Sequence, residues 1–525
     1  MSRDRNSLHV NYRHVRAIWG NFGSVILIRR HRGGDMSNFD PENNKWRTLD
    51  RDLGRLGTLE QAVATVSKQS TGLLIACLFL GLVGVIAALA LGFGPSTYII
   101  VAAAVFGGYM AINIGANDVA NNMGPAVGAN ALTMGGAILI AAIFESAGAL
   151  LAGGDVVSTI SKGIIDPTSV SDTEIFIWAM MAALVSSALW VNLATWVGAP
   201  VSTTHSVVGG VMGAGIAAAG FAAVNWPTMG KIAASWVISP LLGGAVAALF
   251  LAFIKARIIY QEDKLAAARR WVPVLVGIMA GAFASYLAVK GLKKIFSIDL
   301  PTALLIGLAV GVLAWLITAP MIKKQSQGME NRNKSLKVLF SWPLVFSAAL
   351  LSFAHGANDV ANAVGPLAAI VHAVQEGGFA GKVAIPLWVM VIGAFGISFG
   401  LVLFGPKLIR MVGTQITKLN PMRAYCVALS AAITVIVASW LGLPVSSTHI
   451  AVGAVFGVGF YREWYTERRR GGSRPTPALG KAERRHRKLV RRSHFMTIVA
   501  AWVITVPAAA FMSGVIFLIL SGVFV

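Results

Sequence analysis

Residues 115–128 read GANDVANNMGPAVG, and residues 356–369 read GANDVANAVGPLAA. Nine of the first eleven positions are identical. A second matched pair follows in the same order: PVSTTHSVVGGVMG at 200–213 and PVSSTHIAVGAVFG at 444–457. A third, weaker pair sets Trp236-Val237-Ile238-Ser239 against Trp502-Val503-Ile504-Thr505. Three pairs in one order mark an internal duplication, so the chain is read as two related halves.

The sequence around these motifs is too apolar for water. Hydrophobic residues make up 56% of the 525 positions and charged residues only 13%, about half the usual charged share of a soluble domain. Residues 72–93 carry no charge, and roughly 20 apolar residues suffice to cross a bilayer as a helix. Similar stretches recur near 98–114, 131–152, 175–197, 204–221, 232–254, 272–289, 302–322, 342–354, 385–404, 424–441, 445–460 and 496–523. The pattern predicts an all-α, polytopic membrane protein with roughly 11–13 membrane segments. The two cysteines, Cys77 and Cys426, lie in apolar stretches and read as buried small residues rather than a disulfide or metal cluster. The net charge of +22 does not indicate nucleic acid, because the cations sit in loops between spans, as positive cytoplasmic loops do.

Loop charge orients the halves. Segment 155–174 has net charge −3, and its counterpart 405–423 has +4. Segment 222–230 is uncharged, whereas its counterpart 461–494 has +9. Equivalent loops therefore fall on opposite sides of the membrane, which predicts two inverted-topology repeats. The connectors 255–270 and 323–337, at +3 and +4, go inside. The predicted organisation is an N-terminal cytoplasmic extension at 1–71, an extra first span plus repeat 1 at 72–254, central spans and connectors at 255–341, and repeat 2 at 342–525 with a basic cytoplasmic loop at 461–494. Met36 reads as the natural start, with the Arg-rich residues 1–35 as upstream sequence; the competing reading is a basic tail on the membrane surface.

Each GANDVAN motif ends an apolar stretch and precedes Gly124-Pro125 or Gly365-Pro366, which are expected to break the helix. Broken backbone at membrane depth belongs where it lines a cavity or is buried in protein. Into that break come Asn117, Asp118 and Asn121, and again Asn358, Asp359 and Asn362. A carboxylate with side-chain amides and freed carbonyls forms an all-oxygen site for a hard cation, or a proton site; a structural cap is the plainer alternative. In PVS[ST]TH, proline ends one helix and Ser202, Thr203 and Thr204, or Ser446, Ser447 and Thr448, open the next. Helix N-termini with hydroxyl donors suit an anion, and two of them could grip one tetrahedral oxyanion from opposite sides; ordinary N-capping is the alternative. His205 and His449 are open between proton relay, anion donor and inter-helix hydrogen bond. Glu145 stands in an apolar stretch opposite Ile397 in the other half, which suggests a cation or proton role, or a paired structural carboxylate.

The doubled GANDVAN and the two PVS[ST]TH segments resemble the PiT inorganic phosphate transporters over roughly residues 97–525, in that family's order and duplication. The resemblance implies symport of phosphate with a proton or sodium, and in some relatives carriage of a neutral metal–phosphate complex. It places Asp118, Asn121, Asp359 and Asn362 on the cation motif and the Ser/Thr clusters on the phosphate-proximal hairpins. It implies no cofactor, no enzymatic activity and no metal beyond the coupling cation. The expected partners are phosphate, the cation, membrane lipid and a second copy of the chain, and the expected location is the bacterial inner membrane. The extension, the extra first span and the basic loop depart from the family pattern. A sulfate permease on the same scaffold, an anion channel and a Ser/His hydrolase are the competing readings. No P-loop pattern points to ATP.

Overall fold

Apolar stretches become helices throughout the described residues, and capping residues open several of them. The computed structural model describes residues 71–470 and 492–525, apart from 91, 93, 95, 167–168, 171, 198–200, 292–297, 377–384 and 412–418. The first half holds α1 (Thr71–Ala90), α2 (Thr97–Asn117), α3 (Val119–Gly128), α4 (Met134–Ala152), α5 (Gly154–Lys162), α6 (Thr173–Val197), α7 (Thr203–Ala219) and α8 (Trp226–Ile254). Two central helices follow, α9 (Lys264–Tyr286) and α10 (Leu300–Gln325). Then come α11 (Asn333–Leu339), α12 (Ser341–Asp359), α13 (Ala361–Glu376), α14 (Leu387–Met411), α15 (Pro421–Trp440), α16 (Ser447–Arg470) and α17 (Arg492–Phe524). Caps fix several starts: Thr133 accepts from the amide of Gly136, Asn225 from Thr228, Asp263 from Ala266 and Asn420 from Arg423.

Among the described residues, eleven helical stretches are long and apolar enough to cross a membrane. The polarity is inside out relative to a soluble protein. Leu89, Leu249 and Phe511 are at least 70% exposed, while Asp118, Glu145, His355 and Asp359 are at most 1% exposed. Such a surface is stable only against lipid. This is an integral, multi-pass, all-α membrane protein.

Glycine lets the two halves interlock. A Cβ on Gly356 would strike the carbonyl oxygen of Glu145, and one on Gly115 would strike that of Ile397. In the same way Gly148 abuts Phe353, and Gly400 abuts Ile112. Thus α4 crosses α12 as α14 crosses α2, backbone against backbone, through small residues. A further crossing, α7 on α17 at Gly213 and Ala510, is repeated by α16 on α8 at Gly457 and Gly244. Every one of these contacts has a counterpart in the other half, and Glu145 and Ile397 occupy equivalent positions.

Four local expectations need correction. Cys77 lies exposed on α1, whereas Cys426 is buried as expected. The helix does not break at Gly-Pro: Pro125 and Pro366 lie inside α3 and α13. The interruption falls earlier, at Asp118 and Val360, where tight turns close through Asn121 N–H to Asp118 O (3.0 Å) and Ala363 N–H to Val360 O (3.1 Å). Proline costs only the amide four residues on, so what it frees is the carbonyl of Asn121 or Asn362, within the motif itself. Segment 155–174 is not all loop, because Val156, Val157 and Ile160 make a buried stripe that holds α5. Nor does the basic segment begin as loop at 461, since α16 continues to Arg470. The expected extension (1–71, save Thr71), Pro200 and positions 471–491 of the basic loop lie outside the described residues.

The crossings make a stability prediction. Gly356→Ala and Gly115→Ala should each cost more than about 2 kcal/mol, because backbone rather than a movable side chain blocks the added methyl. Gly135→Ala, with open space around it, should be neutral or stabilising by about 0.5–1 kcal/mol. Thermal unfolding of the detergent-solubilised protein distinguishes these outcomes.

Candidate substrate site

The two helix interruptions and the two half-helix starts meet in the centre of the molecule. Ser202 caps α7 by accepting from the amide of His205 at 3.1 Å, and Ser446 accepts from the amide of His449 at 3.3 Å. Each cap aims the next hydroxyls at a motif aspartate. Thr203 Oγ1 donates to Asp118 Oδ2 at 2.6 Å, and Thr448 Oγ1 donates to Asp118 Oδ1 at 3.1 Å. Ser447 Oγ lies 3.5 Å from Asp359 Oδ2. Asp118 is therefore gripped by one hydroxyl from each half.

The motif asparagines complete a reciprocal pattern. Asn121 donates to Thr448 Oγ1 at 2.8 Å, and Asn362 donates to Thr204 Oγ1 at 3.1 Å and to Thr203 Oγ1 at 3.2 Å. Asn117 donates to Thr195 at 2.8 Å, as Asn358 does to Ser439 at 3.0 Å. Asn358 also holds the loop before α16, donating to Leu443 O and accepting from Val445 N–H. All six hydroxyl residues and all six motif Asn and Asp residues are buried. The cation-type and anion-type candidates thus form one cluster rather than two.

His205 and His449 stand just behind that cluster. Their rings meet edge to face with centroids 4.4 Å apart, and Trp236 lies over His205 at 3.9 Å. The indole N–H donates to Pro444 O at 3.1 Å, so this aromatic group also fixes the turn into α16.

Glu145 enters the site from α4, and here the two halves differ. His355 Nδ1 shares a 2.5 Å hydrogen bond with Glu145 Oε2, and Asn122 donates to Glu145 Oε1 at 2.9 Å. On its other side, His355 Nε2 lies 3.1 Å from Asp359 Oδ2, at ion-pair distance without the alignment of a hydrogen bond. His355 and Asn122 escape the motif reading. The duplication itself marks them: their counterparts are Ile114 and Ala363, just as Glu145 faces Ile397. Spacing gives a second signal, since His355 and Asp359 are four apart and share a helix face. The three departures from the repeat converge into one buried polar chain beside Asp359, while Ile114, Ala363 and Ile397 are buried apolar.

The donor set is rich in oxygen. Asp118, His355 and Asp359 each offer an atom within 4.8 Å of the others'. Asp359 Oδ1 and Asn362 Oδ1 are buried and accept no hydrogen bond. Unpaired buried oxygens are costly unless a ligand meets them.

The comparisons converge on one kind of protein. A family model described as the phosphate transporter family matches residues 114–513. A Helicobacter pylori (strain J99) protein named "Putative phosphate permease" is 52% identical over 425 residues, covering 80% of this chain and 79% of its own length. A Pyrococcus abyssi relative of the same description is 36% identical over 418 residues, covering 79% of this chain and 96% of the relative. A solved structure described as the sodium-dependent phosphate transporter aligns at a TM-score of 0.74 and 34% identity, over 81% of this chain and 100% of that one.

The Glu145–His355 pair can be tested apart from transport. Glu145→Ile and His355→Ile, which copy the apolar half, should each cost about 3–5 kcal/mol because the partner is left buried alone. The double variant should cost clearly less than the sum. A double-mutant cycle on unfolding free energy measures this, and strict additivity would contradict the pairing.

Proposed function

The chain belongs to the phosphate transporter family, and from that premise we propose that it is a secondary carrier that moves inorganic phosphate together with sodium bound at Asp118 and Asp359. Phosphate is the family's transported substrate, and such proteins are carriers rather than enzymes. The observation that carries the coupling proposal is the convergence of both aspartates and both Ser/Thr clusters on one buried centre.

Electrostatics supplies the coupling. Two like unit charges 4 Å apart repel by about 4 kcal/mol at an effective dielectric of 20. A phosphate anion beside two carboxylates is therefore excluded until cations neutralise them. The hydroxyls add a second link. Thr203, Thr448 and Ser447 direct their O–H groups at the carboxylates, so a cation that takes over those carboxylate oxygens releases hydroxyl donors for phosphate. The half-helix starts then add their first-turn amides and positive dipole ends. Cation binding thus builds the anion site, and the two affinities rise together.

Sodium is favoured over a softer metal because the unfilled donors are carboxylate and amide oxygens. The sodium dependence in the description of the similar solved structure supports the same choice. A proton is the second reading, supported by the buried Glu145–His355–Asp359 chain. The inverted arrangement of the halves rests on loop charge and on α10. With α9 running outward, α10 returns the chain to the cytoplasm, so the second half starts from the side opposite the first. For an inner-membrane protein, this puts the connectors on either side of α10's hairpin in the cytoplasm.

The test is labelled-phosphate uptake into proteoliposomes under an inward sodium or an inward proton gradient at matched potential, with excess sulfate as competitor. Sodium should drive uptake and sulfate should leave it unchanged. Asp118→Asn and Asp359→Asn should fold yet lose more than about ten-fold in rate, the loss being at least the 1.4 kcal/mol that defines a decade. Wild-type sodium dependence in both variants would count against these roles. Block by sulfate would redirect the substrate to another oxyanion.

A further inference from the structure

The hairpin of α9 and α10 lies outside the transport centre and has an unusual surface. Only 11% of the α10 span is buried, and its main packing partner is α9. The two helices touch through glycine: a Cβ on Gly281 would meet Gly307 O at 2.7 Å, and one on Gly277 would meet Gly311 O at 2.8 Å. Backbones this close let larger side chains flare apart on either side. The result is a groove of about 490 Å³ whose floor is glycine and whose walls include Ile278, Leu308 and Val312.

The groove has a direction. It runs from Ser285 and Leu304 at one end to Val274 and Trp315 at the other. Those limits are eleven residues apart on α9, about 16 Å of helix at 1.5 Å per residue, or half of a hydrocarbon core roughly 30 Å thick. It is therefore about as long as one acyl chain, and on α10 its limits lie four residues from Leu300 and eight residues from Lys323. Beyond Val274 the same helical stripe reaches Arg270, four residues earlier, and beyond Trp315 the stripe of α10 reaches Lys323. Both cations are exposed. Of the nearby acids, Asp263 caps α9 and Glu330 pairs with Arg332 at 3.0 Å, while Glu262 lies exposed in the turn before α9. Arg269 is tied to Ser326 at 2.6 Å, whereas Arg270 lies over Trp271 with its guanidinium exposed.

We propose that this groove seats one acyl chain of an anionic phospholipid, with its phosphate held by Arg270 and Lys323. An apolar groove as long as an acyl chain, with Arg270 one helical turn and Lys323 about two turns beyond the same end, matches that ligand in both parts. A zwitterionic lipid matches only the chain, and a second copy of this protein would bring its own basic end to the same place. The connectors at this end are those of net charge +3 and +4, which places the two cations at the cytoplasmic surface, where anionic lipid attracts basic segments. The proposal is independent of the transport reading, because it uses none of the central residues.

Native mass spectrometry of the full chain in detergent tests it, with phosphatidylglycerol and phosphatidylcholine as probes. Phosphatidylglycerol should be retained and phosphatidylcholine lost. A cation near an anionic headgroup is worth roughly a five-fold factor, so Arg270→Gln/Lys323→Gln should weaken retention about thirty-fold. Ala282→Phe, which fills the middle of the groove, should abolish it. Equal retention of the two lipids, or unchanged retention in the charge variant, would overturn the proposal. So would efficient cross-linking of Leu308→Cys between two copies in membranes, which would seat a protein partner there.

Discussion

Two carboxylates buried next to one another in a lipid-embedded protein are the constraint on which the rest of the structure depends. Asp118 and Asp359 have no water to solvate them, and each must find donors or a cation inside the fold. The chain answers with donors from the opposite half. A hydroxyl of α16 reaches Asp118 and an amide of α13 reaches α7, so neither half can complete the site alone. The glycine crossings are what make that possible. Only backbone contact at Gly356 and Gly115 brings α4 and α12, or α2 and α14, close enough for motif residues of both halves to share one centre.

Within this near-symmetric frame one side has been rewired. Asn122, Glu145 and His355 form a polar chain where the other half has Ala363, Ile397 and Ile114. Asp118 is consequently held by hydroxyls from both halves, whereas Asp359 has a histidine beside it and a bare oxygen on its other side. The two aspartates, equal in sequence, are chemically unequal. On the proposed sodium coupling, this inequality predicts that the two positions bind a cation with different affinity.

Much of this was legible in the residues. Duplicated GANDVAN and PVS[ST]TH motifs, set in stretches without charge, foretell both a helical membrane protein and a polar centre, because lipid tolerates polar groups only where function or partners hold them. The equivalence of Glu145 and Ile397 could also be read from the pairing of the halves. Other features could not. His355 belongs to no motif, and although its mismatch with Ile114 marks it, its partnership with Glu145 becomes visible only when α4 is packed across α12. The helix interruption falls at Asp118 and Val360 because the tight turns form there, while Pro125 and Pro366 are absorbed within helices; sequence gives the breaker but not the place where the strain is released. Likewise α5 is too short and too charged to stand out from a loop until its buried stripe is seen.

The most direct measurement of the central claim is reciprocal binding in the purified full-length protein. Calorimetric titration of phosphate should be made in sodium and in choline, and titration of sodium with and without phosphate. A shared centre predicts that sodium tightens phosphate binding by about 5- to 150-fold, and that phosphate tightens sodium binding by the same factor. Phosphate affinity that is equal in sodium and choline would contradict it, because the aspartates and the anion site would then not be coupled.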